Sequence, residues 1–70
     1  MTTREATLKA FEALPPGKFD GIYIIAVVRR TLGRPQMYAD TILRSLRTLR
    51  QKKTINYVSE IRSKSKYIKR

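Results

Sequence analysis

The stretch GIYIIAVVRR, Gly21 to Arg30, decides the fold of this chain. Its seven consecutive apolar residues, Ile22 to Val28, suit a buried strand, a buried helix or a membrane segment. A membrane span is excluded because seven residues are far fewer than the roughly 20 needed to cross a bilayer. The choice therefore lies between a strand and a helix.

The strand alternative is favoured by five β-branched residues and by Asp20-Gly21, a dipeptide typical of hairpin turns. A hairpin at this point needs a partner strand directly before the turn. The preceding segment, LPPGKF, contains two prolines, which cannot donate hydrogen bonds to a strand ladder. The sequence therefore predicts that the local partner strand is missing.

The helix alternative is favoured by residues at both ends of the run. Asp20 can cap the helix N-terminus, Arg29 and Arg30 suit the negative end of the helix dipole, and Gly33 can adopt the left-handed conformation that ends a helix. Five β-branched residues oppose the helix by about 2.5 kcal/mol, whereas burial of two of them contributes about 3–6 kcal/mol. We therefore expect a helix over 20–32, apolar on nearly every side and central in the fold.

Two further helices flank this one. Thr2 and Glu5 have the spacing of a capping box, which predicts a helix over 3–14 that ends at the Pro-Pro-Gly sequence 15–17. Apolar residues at helical spacing then predict a helix over 38–52. The apolar stripe of that helix contains Ala39, Ile42, Leu46 and Leu49, with Leu43 at its edge.

The last part of the chain changes to a strand-type pattern. A hairpin is predicted over 54–69, with the polar residues from Glu60 to Lys64 at its tip. Tyr57 and Tyr67 are expected to pack as a cross-strand pair on the core. Residues 1–70 together form one small domain, since no linker separates a second one.

The composition argues against an enzyme. The chain contains neither cysteine nor histidine, so thiolate metal sites, thiol nucleophiles and the usual proton shuttle are excluded. Asp20 and Asp40 are the acidic residues in the middle of the chain, too few for a metal cage. We therefore expect no catalytic residues, no metal and no cofactor.

Positive charge dominates the second part of the sequence. The chain has 16 Lys and Arg against five Asp and Glu, a net charge of +11. Residues 1–28 contain three of each sign, whereas residues 29–70 contain 13 basic and two acidic residues. This asymmetry predicts a neutral structural portion and a basic portion that contacts a polyanion. The N-terminus lacks the apolar core of an export signal, so a cytoplasmic, nucleoid-associated protein is expected, with no membrane partner.

The order of these elements, and above all YADTILRSLRTLRQKKTINY at 38–57, resembles the winged helix-turn-helix family of DNA-binding domains, of the small bacterial or phage type. The resemblance implies an α+β, mainly α fold: three helices and a C-terminal β-hairpin wing. It also implies binding to double-stranded DNA and a role in regulating transcription or replication. The turn at TLGRPQMYAD is longer than a minimal helix-turn-helix turn.

The resemblance places the helix 38–52 in the major groove and the hairpin on an adjoining backbone or minor groove. Only one acidic residue, Asp40, lies between 37 and 53, so the arginines there lack the partners expected of an ordinary solvated helix face. Arg44, Thr48 and Gln51 oppose the apolar stripe and are expected to reach base edges. The complete set of expected DNA contacts is Tyr38, Thr41, Arg44, Ser45, Arg47, Thr48, Gln51, Lys52 and Lys53 on the helix side, with Arg62, Lys64 and Lys66 on the hairpin.

Two other partners remain open at this stage. A structured RNA recognised by shape would require nearly the same features. An acidic protein docking on the basic face is the alternative from another class, because a fold does not establish a function. An exposed part of the first or second helix would also allow a homodimer.

Overall fold

The computed structural model of the chain describes residues 1–61, 64 and 66–70. Within them, the three predicted helices and the predicted C-terminal hairpin are confirmed, and one further strand is present. The elements in chain order are α1 (Thr3–Glu12), β1 (Gly17–Asp20), α2 (Gly21–Leu32), α3 (Ala39–Gln51), β2 (Tyr57–Ile61) and β3 (Lys66–Lys69). The protein is therefore an α+β, mainly α domain.

The helix termini have the predicted caps. The Glu5 backbone N–H donates to Thr2 Oγ1 and the Thr2 backbone N–H donates to Glu5 Oε1, both at 3.1 Å, which completes the capping box. Asp20 Oδ1 accepts the backbone N–H of Ile22 at 3.1 Å at the start of α2. Gly33 ends α2 in the left-handed region, with φ +65°. The apolar run is thus a helix, although α1 ends at Glu12 rather than at residue 14.

Strand β1 corrects the prediction that the segment before α2 contains no strand. β1 begins at Gly17, just after the two prolines, so the strand does not need their missing donors. Gly17 has φ +116°, a backbone conformation that favours glycine. The partner of β1 is β3, more than 40 residues away, and Phe19 lies opposite Tyr67. The prediction failed because it considered only a partner adjacent in sequence.

The three strands form one antiparallel sheet in the order β1-β3-β2. The C-terminal hairpin supplies β2 and β3, and β3 lies in the centre of the sheet. Glu60, predicted at the hairpin tip, instead lies within β2, where the register shifts between Ser59 and Ile61. The hairpin is therefore held to the rest of the domain through the pairing of β3 with β1.

An aromatic cluster joins the sheet to the helices. The rings of Phe11, Phe19, Tyr57 and Tyr67 pack with centroids 5.3–6.1 Å apart. Tyr57 and Tyr67 lie 5.3 Å apart, which confirms that they pack together, although Tyr67 is directly opposite Ser59 in the register. The other buried apolar side chains of the core are Ala6, Ala10, Ile24, Ile25, Val28, Ile42, Leu46, Leu49 and Ile55.

Helix α2 is covered on more than one side, as expected, because it contacts α1, α3 and β1, but part of its apolar surface stays exposed. Ile24, Ile25 and Val28 are buried, but Ile22 is 68% exposed and Tyr23 is 54% exposed. Helix α1, not α2, packs extensively against both other helices. The central helix is therefore α1 rather than α2, and the N-terminal turn of α2 leaves apolar side chains exposed.

Lys69 and Arg29, both in the basic portion, donate hydrogen bonds that serve the fold. Lys69 Nζ donates to the carbonyl oxygens of Phe11 at 3.0 Å and Leu14 at 2.6 Å, next to the end of α1, where backbone carbonyls lack partners within the helix. Arg29 Nε donates to the carbonyl oxygen of Met37 at 2.8 Å, across the turn between α2 and α3. These bonds connect β3 to α1 and fix the chain before α3.

Candidate nucleic-acid interface

Helix α3 presents one polar side to the outside of the domain. Its residues Ile42, Leu46 and Leu49 are buried against the core. At 100° per residue, Arg44 and Gln51 lie opposite that buried stripe, and both are exposed. The amphipathic pattern thus fixes the rotation of α3 and turns its polar side chains outward.

Most of the predicted contact residues share this outward side or the ends of α3. The exposed ones are Tyr38, Thr41, Arg44, Arg47, Gln51, Lys52 and Lys53. Ser45 and Thr48 are half-buried, and their hydroxyls donate to the carbonyl oxygens of Thr41 at 3.2 Å and Arg44 at 3.0 Å. Those two hydroxyls are engaged with the helix backbone, while their oxygens keep acceptor capacity.

Asp40 occupies a central place among the arginines of α3. Its Oδ2 lies 3.0 Å from an Arg44 guanidinium nitrogen, and its Oδ1 lies 4.0 Å from one of Arg47. One carboxylate therefore stands between two of the predicted DNA-binding cations. The carboxylate is 70% exposed, so solvent screens both ion pairs and each holds its arginine only weakly.

A groove of about 360 Å³ separates α3 from the hairpin. Arg50 is anchored in it: its guanidinium carbon lies 4.8 Å from the centroid of the Tyr57 ring, and its NH1 donates to the Tyr57 carbonyl at 3.5 Å. Arg47, Ser59 and Tyr67 also line the groove. The groove thus places cations and a hydroxyl between the two elements expected to contact nucleic acid.

Burial raises the pKa of Tyr57 above its ordinary value of 10, with Arg50 opposing that rise. The phenol therefore stays neutral at physiological pH. It acts as an aromatic support for Arg50 and as part of the core.

Lys52 and Lys53 lie where α3 ends. The N–H groups of Lys53 and Thr54 donate to the carbonyls of Arg50 and Leu49, both at 3.0 Å, in the pattern of a Schellman cap. Lys53 adopts φ +60°, a left-handed conformation usually taken by glycine at this position. A lysine here places an exposed cation directly after α3 at some cost in backbone strain.

The three predicted hairpin contacts have different positions. Lys64 is exposed near the tip of the hairpin. Lys66 forms a hydrogen-bonded ion pair with Asp20. This bond lowers the pKa of Asp20 below its ordinary value, and the hydrogen bond from the Ile22 N–H is the second cause of that decrease. Lys66 therefore links β3 to the N-terminal cap of α2. Arg62 lies outside the described residues.

Sequence reasoning missed several groups at this site. The ion pair between Asp40 and Arg44 could have been predicted, because residues four apart on a helix are neighbours. The stacking of Arg50 on Tyr57, and the place of Ser59 in the groove, depend on the hairpin folding back beside α3. No local pattern encodes that juxtaposition.

Comparison of the chain with models of protein families, with curated proteins and with solved structures found no match. Among the described residues, no helix is both long enough and apolar enough to pass through a lipid bilayer. Function is therefore inferred from the shape and charge of this surface.

Proposed function

We propose that the protein binds double-stranded DNA, with the outward side of α3 in the major groove and the hairpin on the adjoining backbone. The observation that carries this proposal is the exposed row of cationic and polar side chains on α3, next to the basic hairpin. At 1.5 Å per residue, the 13 residues of α3 span about 20 Å. A B-form major groove, about 12 Å wide, admits one such helix.

The same surface favours duplex DNA over the alternative nucleic acids. A-form RNA has a deep, narrow major groove that side chains do not read. Single-stranded nucleic acid needs exposed aromatic side chains on which bases stack. Tyr57 is only 2% exposed, and Tyr67 packs against both Tyr57 and Phe19. These two rings support the core, so Tyr38, which is 80% exposed, offers this surface one stacking platform rather than a row of them.

Roles are assigned to the side chains by position. Arg44 and Gln51 read base edges, since Arg pairs with guanine and Gln with adenine. Arg47, Lys52, Lys53 and, on the hairpin, the exposed Lys64 bind phosphates and set the register of the protein on the duplex. Such a module regulates transcription or replication by occupying a site on the bacterial or phage genome, within the nucleoid.

The test is fluorescence anisotropy with a labelled duplex pool, a single strand and a structured RNA, each titrated with salt. A duplex preference that persists at physiological salt supports the proposal. The logarithm of the binding constant should then fall with the logarithm of the salt concentration with a slope of about −5, as for roughly six phosphate contacts. Equal binding to all three probes that vanishes with salt contradicts it and directs attention to an acidic protein partner.

Variants separate base reading from phosphate binding. Arg44→Ala and Gln51→Ala should each relax the preference at one base pair by about 1–3 kcal/mol, while Lys64→Ala should weaken binding to every duplex alike. Lys9→Ala is the matched control, because Lys9 is exposed on α1 and its loss removes the same charge away from α3. Equal losses on all sequences from the first three variants would remove the base-reading role.

A further inference from the structure

We infer that Asp40 is a sequence-selecting residue of the DNA interface: it accepts a hydrogen bond from a cytosine amino group and disfavours duplexes that lack one. This inference rests on the proposed function. Its basis is the position of the carboxylate on the outward side of α3, where it touches Arg44 at 3.0 Å and lies 4.0 Å from Arg47.

The location of Asp40 is suited to base contact. It is the second residue of α3, and in helix-turn-helix proteins the N-terminal residues of the recognition helix meet the base edges. Its carboxylate is 70% exposed and Arg44 is 74% exposed, so both groups are accessible to a duplex laid along α3. Tyr38, directly before the helix, is 80% exposed and projects from the same end.

The chemistry of a carboxylate in the major groove gives the selectivity. Asp40 offers only acceptors at neutral pH, and the cytosine N4 amino group is the donor with which Asp pairs in the major groove. Where a guanine or thymine oxygen faces the carboxylate instead, two acceptors meet and the complex is disfavoured. Adenine presents its amino donor beside the N7 acceptor, which repels the second carboxylate oxygen. Specificity then arises from a repulsive element as well as an attractive one.

The ion pair with Arg44 adds a second effect. In the free protein, the Asp40 carboxylate competes with phosphates for the guanidinium groups of Arg44 and Arg47. A duplex of arbitrary sequence must displace the carboxylate without replacing its hydrogen bond from Arg44. A duplex with guanine for Arg44 and cytosine for Asp40 satisfies both groups, so Asp40 lowers non-specific binding more than specific binding.

The spacing of the two residues predicts the spacing of the two bases. Side chains four residues apart on a helix have Cβ atoms about 5–6 Å apart, and successive base pairs rise about 3.4 Å. The cytosine selected by Asp40 is therefore expected within about two base pairs of the guanine read by Arg44.

The first experiment selects duplexes from a randomised library with three proteins: the wild type, Asp40→Asn and Glu12→Gln. Fluorescence anisotropy then measures the affinity of each protein for the selected duplex and for a scrambled one. Glu12→Gln is the matched control because Glu12 is exposed on α1 and carries the same charge. The wild type and Glu12→Gln should enrich cytosine near a guanine. For Asp40→Asn, the enrichment of cytosine over the other bases should fall about fivefold or more. Asp40→Asn should also bind the scrambled duplex more tightly than Glu12→Gln does.

The outcomes are distinct. Enrichment of a site that Asp40→Asn leaves unchanged, or an equal gain on the scrambled duplex for Asp40→Asn and Glu12→Gln, overturns this inference and leaves the proposed function standing. Absence of any enrichment by the wild type, with equal binding to single strands and RNA, overturns the proposed function and this inference with it. A thermal melt of each variant by circular dichroism verifies that all three are folded.

Discussion

Phe19 is the residue through which β1 joins the core, and its truncation is expected to unfold much of the protein. Its ring is buried, with centroids 5.6 Å from Phe11, 6.0 Å from Tyr57 and 5.3 Å from Tyr67. Phe19→Ala should cost about 3–5 kcal/mol from lost burial and the cavity left behind. A domain of this size has a total stability of only about 4–10 kcal/mol.

Phe19→Leu separates apolar burial from aromatic packing. Leucine keeps most of the burial and loses three aromatic contacts, each contributing about 0.5–1.5 kcal/mol. A cost of about 1.5–3 kcal/mol is expected, since neighbouring contacts are not additive. At about 4–8 °C per kcal/mol, the midpoint of thermal unfolding should fall by roughly 6–24 °C.

Urea unfolding followed by far-ultraviolet circular dichroism gives the free energy of unfolding of both variants. Ile22→Ala is the control, because Ile22 is an exposed apolar residue of α2 and surface changes cost less than about 0.5 kcal/mol. If Phe19→Ala costs no more than Ile22→Ala, β1 does not pack in the core, and the reasoning that ties the hairpin to the helices through it is refuted.

Two further predictions concern the end of α3 and the link between β3 and α2. Lys53 has φ +60°, so the free energy of unfolding in urea should be about 1 kcal/mol higher for Lys53→Gly than for Lys53→Ala. Both variants should lose the same DNA affinity. Equal stability of the two variants would contradict the left-handed cap. The Lys66 hydrogen bond holds the pKa of Asp20 below its ordinary value of 3.8, so the stabilisation is present above that value and is lost as pH falls through the lowered pKa. The stability difference between the wild type and Asp20→Asn, measured by thermal melts from pH 6 to 2, should shrink below about pH 4, and a constant difference would contradict this linkage.

Several features of the fold and of the candidate site depend only on residues that are close together in the sequence. The caps at Thr2 and Asp20 involve partners two or three residues away, so the sequence displayed them directly. The rotation of α3 follows from its apolar stripe, and with it the exposure of Arg44 and Gln51. Each of these features needs only a periodicity or a short motif.

Tertiary structure decided the remaining features. Whether LPPGKF leads into a strand depended on β3, which supplies the partner from the far end of the chain. The exposure of Ile22 and Tyr23 depended on where α1 and α3 came to lie, so the sequence allowed an exposed part of this helix without fixing which residues form it.

By itself, therefore, the sequence determined three helices, a hairpin and a surface charge concentrated after residue 28, because propensity, capping and charge are properties of neighbouring residues. Three features were decided only in the folded molecule: strand β1, the stacking of Arg50 on Tyr57 and the ion pair of Lys66 with Asp20. The physical reason is that contacts between residues distant in sequence form only when loop closure brings them together, and the compensating burial is a property of the whole core.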